Sequence, residues 1–266
     1  MISISVVIPV FRAELSLEEL YARLVPALES RTDRFEIIFV EDFGGDSSWS
    51  IIRNLSSRDP RVGGIRLSRN FGQHNALLCG IRAAQFEVVV TMDDDLQHPP
   101  EEMHRLLEAL TLDVDVVYGA AARQQHGLLR GLASTMTKMA LSSAMGAETA
   151  RSVSAFRAFR TRLRDGFSDY RSPSVSIDVL LTWATTRFAT VRVEHQPRHA
   201  GTSGYTVRKL FAHAMNLMTG FSVLPLRFAS LVGFAFVLMG LGVMAYVLVN
   251  FLLHGAAVPG FAFLAS

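Results

Sequence analysis

The chain has 266 residues, half of them hydrophobic (50%), with a formal net charge of +2 and a mean hydropathy of +0.28. That charge is too small to attract nucleic acid, and the length allows one sizeable domain plus a smaller appendage. The single cysteine, Cys79, excludes an internal disulfide framework and a Cys-based zinc site, and within its helical run it reads as a buried, inert thiol.

The opening apolar stretch, Ile2 to Val10, is short and lacks a basic start, so it reads as a strand rather than a signal peptide. The first domain is therefore expected in the cytoplasm. Ser16-Leu17-Glu18-Glu19 has the form of a capping box, and Leu17, Leu20, Leu24 and Leu28 mark one face of a helix that Pro26 interrupts. Strands are expected at Phe35 to Val40, Gly64 to Leu67, Glu87 to Met92 and Val114 to Tyr118. Helices are expected between them, at Ser48 to Ser57 and Asn75 to Ala84, and another opens at Pro99-Pro100-Glu101-Glu102. Apolar strands alternating with helices imply an α/β fold, with a mostly parallel sheet covered on both faces.

Beyond residue 120 the periodicity weakens. A loop at 120–129, a helix around Gly131 to Met145, a strand at Val153 to Phe159, helices at 161–168 and 174–186 and a strand at Thr190 to His195 follow. His199 to Tyr205 reads as a loop, and 206–226 as an apolar-faced, basic-started helix lying in a membrane interface. Phe228 to Leu253 holds 26 residues without a charge. As a helix this run is about 39 Å long, enough to cross a hydrocarbon core of roughly 30 Å. Arg208, Lys209 and Arg227 precede the span and no Lys or Arg follows it, so the positive-inside rule puts its N-terminal side in the cytoplasm. The expected organisation is a catalytic domain at 1–205, an interfacial helix at 206–226, a transmembrane helix at 227–254 and an apolar tail at 255–266 that resembles the start of a second span.

The sharpest chemical feature is Thr91-Met92-Asp93-Asp94-Asp95-Leu96-Gln97-His98-Pro99-Pro100. Three carboxylates follow directly on an apolar strand, and in open parallel sheets ligands bind beyond the carboxyl ends of strands. Asp93 and Asp95, two apart on an extended backbone, share a face and suit Mg²⁺ or Mn²⁺, hard ions that share oxygen ligands with substrate phosphates. The bland alternative is an acidic turn that caps the next helix. Glu41-Asp42 ends another strand, where a carboxylate could receive hydrogen bonds from a ribose or base, or merely sit in a solvated turn. His98, His195, His199 and His213 have no metal-ligand spacing and read as structural or interfacial; Trp49 and Trp183 read as core.

Val7-Ile8-Pro9-Val10-Phe11, Ile38-Phe39-Val40-Glu41-Asp42, Arg66-Leu67-Ser68-Arg69-Asn70-Phe71-Gly72, the acidic motif and Asp115-Val116-Val117-Tyr118-Gly119 occur in that order. Together they resemble the family 2 glycosyltransferases of the dolichyl- and polyprenyl-phosphate sugar synthase group. Pro197-Arg198, Gly201, Ser203, Tyr205 and Arg208-Lys209-Leu210 resemble that group's acceptor-side loop, and Ser222-Val223-Leu224-Pro225-Leu226-Arg227 its lead into the membrane. The resemblance implies a GT-A fold, a UDP- or GDP-linked sugar donor and inversion at the anomeric carbon. It implies that Pro9, Phe11, Glu14, Glu41, Asp42 and Asp94 serve the nucleotide-sugar, and that Asp93 and Asp95 are the outer members of an Asp-x-Asp metal motif. Gln97 would lie beside the donor, and Arg130, Ser134, Arg198, Ser203 and Arg208 would hold the acceptor phosphate. The expected activity is sugar transfer to a polyprenyl phosphate, undecaprenyl phosphate first among them, at the cytoplasmic membrane face for cell-envelope glycans. A lipid-linked saccharide or glycan acceptor is the alternative, and a catalytically silent membrane partner-binding protein a third reading. A homo-oligomer is compatible with all three.

Two of the chain's departures from the group's pattern concern acidic positions. The usual Asp-Asp-Gly-Ser is Glu41-Asp42-Phe43-Gly44, and the Asp that many relatives carry before Phe-Arg is replaced around Ser154 and Ala155, ahead of Phe156-Arg157. Neither Ser154 nor Ala155 can act as a carboxylate.

Overall fold

The computed structural model describes residues 2–121, 153–173, 175–196 and 224–254. Its first unit is built on a sheet whose strands are β1 (Ile4–Val10), β2 (Phe35–Glu41), β3 (Val62–Arg66), β4 (Val88–Thr91), β5 (Val116–Ala121), β6 (Arg157–Arg160) and β7 (Phe188–Val193). The order across the sheet is β3-β2-β1-β4-β6-β5-β7. Neighbours are parallel except at β6, which runs antiparallel to both β4 and β5. The expected α/β architecture is therefore present, with one reversed strand in its middle.

β1 is buried along its whole length because both faces are covered. Ile4, Val6, Ile8 and Val10 join α1 (Leu17–Glu29) and α2 (Ser48–Arg58), whereas Val7 joins α3 (Gln73–Ala83) and α5 (Ile177–Ala184). A short 3₁₀ turn, Pro100–Glu102, leads into α4 (Met103–Ala109) on the first of these faces. Gly80 lets α3 lie against the sheet, since a Cβ there would run into Val7 and Val40.

α1 continues through Pro26. A proline within a helix costs roughly 3 kcal/mol, but burying a leucine side chain contributes about 1.5–3 kcal/mol, and Leu17, Leu20, Leu24 and Leu28 are all buried. The capping box does not form: Ser16 Oγ donates back to the Ala13 carbonyl at 3.2 Å, closing the turn that precedes the helix. The other expected elements are present with ends shifted by a few residues. The loop expected at 120–129 begins later, since β5 runs to Ala121, and the rest of it, with the elements around Gly131 to Met145, at His199 to Tyr205, across most of 206–226 and at 255–266, lies outside the described residues.

A buried ion pair ties the reversed strand to its surroundings. Arg157 on β6 is 2% exposed and pairs with Asp178 on α5. Its Nε donates to Thr91 Oγ1 at 3.1 Å, Thr91 Oγ1 donates to the Ala155 carbonyl at 2.7 Å, and the Tyr118 hydroxyl donates to Asp178 at 3.0 Å. This network grips the last residue of β4, immediately before Met92 and the acidic run.

The second unit contains α6 (Leu224–His254), which holds 25 consecutive apolar or uncharged residues, Ala229–Leu253, long enough to cross a membrane. Its side chains from 229 to 253 are largely exposed within the chain, unlike those of a soluble core helix.

Asp178→Ala would leave the Arg157 charge buried without its partner, and urea denaturation should show a loss of about 3–5 kcal/mol. Replacing both members by apolar residues of similar volume should cost much less; an equal loss in the double variant would contradict a charge-based penalty.

Candidate active site

The strand order reverses direction between β1 and β4: the chain proceeds outward from β1 to β2 and β3, then returns to β4 on the opposite side of β1. Such a switch point leaves a crevice beyond the carboxyl ends of the strands. The loops after β1, β2, β3 and β4 meet here. Phe11 N donates to Asp94 Oδ2 at 3.0 Å, bridging the first and fourth loops. Arg12 Nε donates to the Gly44 carbonyl at 3.1 Å, joining the first to the second. Asp42 accepts from Phe71 N at 2.7 Å and Gly72 N at 2.8 Å, joining the second to the third. Gln73 Nε2 donates to Asp93 Oδ1 at 2.5 Å, joining the third to the fourth.

All positive-φ positions among the described residues belong to these loops: Arg12 at 57°, Phe43 at 56°, Gly45 at 78°, Gly72 at 92° and Leu96 at 59°. Glycine accepts this backbone freely, but each non-glycine costs on the order of 1–3 kcal/mol and persists only where its surroundings over-determine it. The strain therefore gathers at one edge of the sheet, where binding sites are found.

The acidic run lies in the crevice. Asp93 is held by Gln73, and Asp95 Oδ1 accepts from Gln97 N at 3.1 Å. The Asp94 carboxyl is pushed up to about 7, first by burial and then by the charges of Asp93 and Asp95, against the lowering effect of the Phe11 amide. So much negative charge on adjacent residues suits a divalent cation. Among the described residues no three His, Cys, Asp or Glu side chains converge as a complete ligand set. Two carboxylates completed by substrate phosphate oxygens and water is the usual arrangement for Mg²⁺-type sites, and Asp93 and Asp95 fit that shared form.

The other expected site residues are differently used. Pro9 is buried within β1 opposite Val40, whereas Phe11 just beyond is 45% exposed. Glu14 accepts from Ser47 N at 3.0 Å, at the start of α2. Glu41 and Asp42 are buried, not a solvated turn. Glu41 accepts from Gly44 N at 2.6 Å and Arg66 Nε at 3.0 Å, and Asp42 holds the third loop as above. Both carboxylates brace the edge, and burial raises the Asp42 carboxyl above its ordinary value. Ser154 is engaged locally, accepting from Phe156 N at 3.0 Å.

His98 is structural, as its spacing suggests. It stacks on Phe156 with centroids 5.3 Å apart and meets the His195 edge at 4.9 Å, and its Nδ1 is buried without a hydrogen-bond partner. Burial, then the neighbouring His195, lowers its imidazole to about 4, so the ring is neutral at physiological pH. Trp183 is a correction: it is 56% exposed, against the side of Tyr170, because α5 turns its Ile177, Asp178, Leu180 and Leu181 face inward. Cys79 is partly rather than fully buried. Arg130, Ser134, Arg198, Ser203, Arg208, His199 and His213 lie outside the described residues.

Reasoning from sequence did not single out Gln73, Arg66 or Arg12. Gln73 had a usable signal, since a helix that starts at a strand's carboxyl edge presents its first polar side chain to the crevice.

A GT-A-like mixed sheet with an acidic motif at its switch point defines a glycosyltransferase scaffold, and comparison with known proteins agrees. A TM-score of 0.58 relates the fold to Mycobacterium tuberculosis glucosyl-3-phosphoglycerate synthase in complex with Mn²⁺, UDP and glucosyl-3-phosphoglycerate; sequence identity is 17%, covering 83% of this chain and 80% of that one. The profile described as "Glycosyl transferase family 2" matches residues 5–168. Undecaprenyl-phosphate 4-deoxy-4-formamido-L-arabinose transferase of Pseudomonas syringae is 33% identical over 258 residues, 97% of this chain and 77% of the relative. The Yersinia pestis protein of the same name is 33% identical over 239 residues, 89% of this chain and 73% of the relative. The chain belongs to glycosyl transferase family 2 and is a glycosyltransferase.

Asp94→Asn keeps an acceptor for the Phe11 amide and removes the titrating charge. Between about pH 4 and 7 the unfolded wild-type carboxyl ionises while the folded one stays protonated, so the wild type loses stability as pH rises through that window. Without added metal, the variant's advantage in Tm should therefore grow from pH 4 to 7, level off above, and reach roughly 10 °C. A pH-independent difference in thermal scans would contradict the buried charge.

Proposed function

We propose that this enzyme transfers a sugar, with inversion, from a nucleotide-sugar to a polyprenyl phosphate at the cytoplasmic face of the inner membrane, for cell-envelope glycan synthesis or modification. The observation that carries the reading is the acidic run Asp93-Asp94-Asp95 at the β1/β4 crevice, in a chain whose relatives are named for undecaprenyl-phosphate sugar transfer. Undecaprenyl phosphate is accordingly the first acceptor to test.

Asp93 and Asp95 would hold Mg²⁺ or Mn²⁺, with Gln73 and the Gln97 amide fixing the two carboxylates. When bound, the ion supplies positive charge opposite a departing diphosphate. Phe11, Asp42 and Asp94 surround the nucleotide end, where the Phe11–Asp94 hydrogen bond holds the first loop across the crevice. Glu14 and Glu41 shape that end from behind through Ser47, Gly44 and Arg66, and Pro9 sets the end of β1. Gln97 lies between the metal motif and the exit of β7, because its carbonyl accepts from Gln196 N at 2.8 Å.

The acceptor is an anion at neutral pH, so its oxygen can attack the anomeric carbon without a strong general base. Ser154 in place of a carboxylate is compatible with that chemistry. Arg130, Ser134, Arg198, Ser203 and Arg208 are the proposed phosphate holders, the guanidinium fork being suited to phosphate. Topology supports this assignment. β5 and β7 run in the same direction as β4, so Ala121 and Gln196, from which the segments carrying these residues depart, lie at the carboxyl edge. The chain re-enters at that same edge through Val153 to Phe156, ahead of β6, whose Arg157 pairs with Thr91.

The test is incubation of the purified full chain with Mn²⁺, undecaprenyl phosphate and a panel of UDP- and GDP-sugars that includes the formamido-arabinose donor, with products identified by mass spectrometry. A single sugar phosphodiester of the lipid is expected; transfer only to a lipid-linked saccharide would instead support the alternative acceptor. Asp95→Ala should fold normally and lower the rate by about 10²–10³. Retention of full activity by this variant, or by the wild type in chelator, would exclude the metal role.

Membrane attachment is proposed to run through α6. Cell fractionation should find a chain ending at residue 205, without the interfacial segment and α6, in the soluble fraction; continued sedimentation with membranes would place the anchor elsewhere.

A further inference from the structure

Phe43 occupies a position where the resemblance leads one to expect glycine, and it retains the left-handed backbone, φ 56°, that glycine would adopt without strain. Its ring is not packed away, for the residue is 49% exposed. Arg66 lies over the ring with its guanidinium carbon 5.5 Å from the centroid, and the same carbon is 5.9 Å from the Trp49 ring. Arg66 is fixed in turn by Glu41, which accepts from its Nε at 3.0 Å and from Gly44 N at 2.6 Å. Gly44 closes the unit against the first loop, since a Cβ there would come within 2.8 Å of Arg12 N. Two of the three departures from Asp-Asp-Gly-Ser, Glu41 and Phe43, are thus one physical device. The carboxylate orients an arginine, and the arginine holds an exposed aromatic ring on the loop after β2, next to Asp42.

We infer that Phe43 is a stacking platform for the base of the donor nucleotide, held from one side by Arg66. This rests on the nucleotide-sugar reading above. A flat aromatic surface backed by a cation suits a nucleobase, because every base presents a π face and stacking tolerates differences in hydrogen-bonding edges. The ring therefore recognises the base end of the donor and leaves the diphosphate to the acidic run.

The experiment is calorimetric titration of the full-length protein in detergent with UDP, GDP and pyrophosphate, all at one fixed Mn²⁺ concentration. Phe43→Gly should melt at or above the wild-type temperature and bind the nucleoside diphosphates about tenfold more weakly. Its affinity for pyrophosphate should stay within about twofold of wild type. Phe43→Trp should restore nucleotide affinity, and Phe43→Leu, apolar but without a π face, should not. Equal UDP and GDP affinity in Phe43→Gly and wild type would overturn the platform while leaving the donor reading intact. An equal loss for pyrophosphate would overturn it too, by assigning the effect to loop geometry. A wild-type protein that binds pyrophosphate but neither nucleoside diphosphate would sink the donor reading and the platform together.

Discussion

The crowding of carboxylates at the end of β4 is the constraint around which the first unit is organised. Asp93, Asp94 and Asp95 are consecutive, and one of them is buried deeply enough to hold its proton to about pH 7. Such a cluster works against folding and needs support. It comes from below through Thr91, gripped by the buried Arg157–Asp178 pair, and from the sides through the Phe11 amide, Gln73 and Gln97 N. Buried ion pairs are poor sources of net stability. This one makes more sense as a positioning device, because it fixes the strand end from which the acidic run emerges.

The same edge carries the strain. Left-handed residues follow each of β1, β2, β3 and β4, and those at Arg12, Phe43 and Leu96 are not glycine. Loops that only reverse the chain have no need of such conformations at Arg12, Phe43 and Leu96. Loops that must bring backbone amides, carboxylates and rings into one crevice do, and the cross-loop hydrogen bonds hold them there. Rigid strands and strained, mutually bonded loops divide the work: the sheet fixes where the chain ends meet, and the loops fix what they present.

Much of this was legible in the sequence, for identifiable reasons. Apolar runs such as Ile4 to Val10 and Val88 to Thr91 are buried on both faces, so strand and layer are written in composition alone. The acidic motif was visible because three carboxylates after such a run have few other uses. What could not be read is pairwise and long-range. The reversal of β6 depends on pairing with Thr91 and Tyr118, distant in sequence. Glu41 and Asp42 looked like candidate ligand acceptors, but their partners, Arg66, Phe71 and Gly72, come from the far side of α2. Ser16 had the local pattern of a cap, yet the turn before it offered its hydroxyl a nearer acceptor at Ala13. Trp183 was misread as core because size suggests burial, whereas the face of α5 decides it.

His98 shows how a residue inside a chemical motif can serve geometry instead. Its imidazole is neutral at physiological pH, stacked on Phe156 and unbonded at Nδ1. It fills the space between Phe156, ahead of β6, and His195, beyond β7. Two hydrogen bonds complete the joint: Gln196 N to the Gln97 carbonyl at 2.8 Å, and Glu194 N to Glu102 at 3.0 Å. The exit of β7 is therefore pinned to the turn that carries Gln97. On this argument the neutral histidine sets where the chain leaves β7 relative to Gln97.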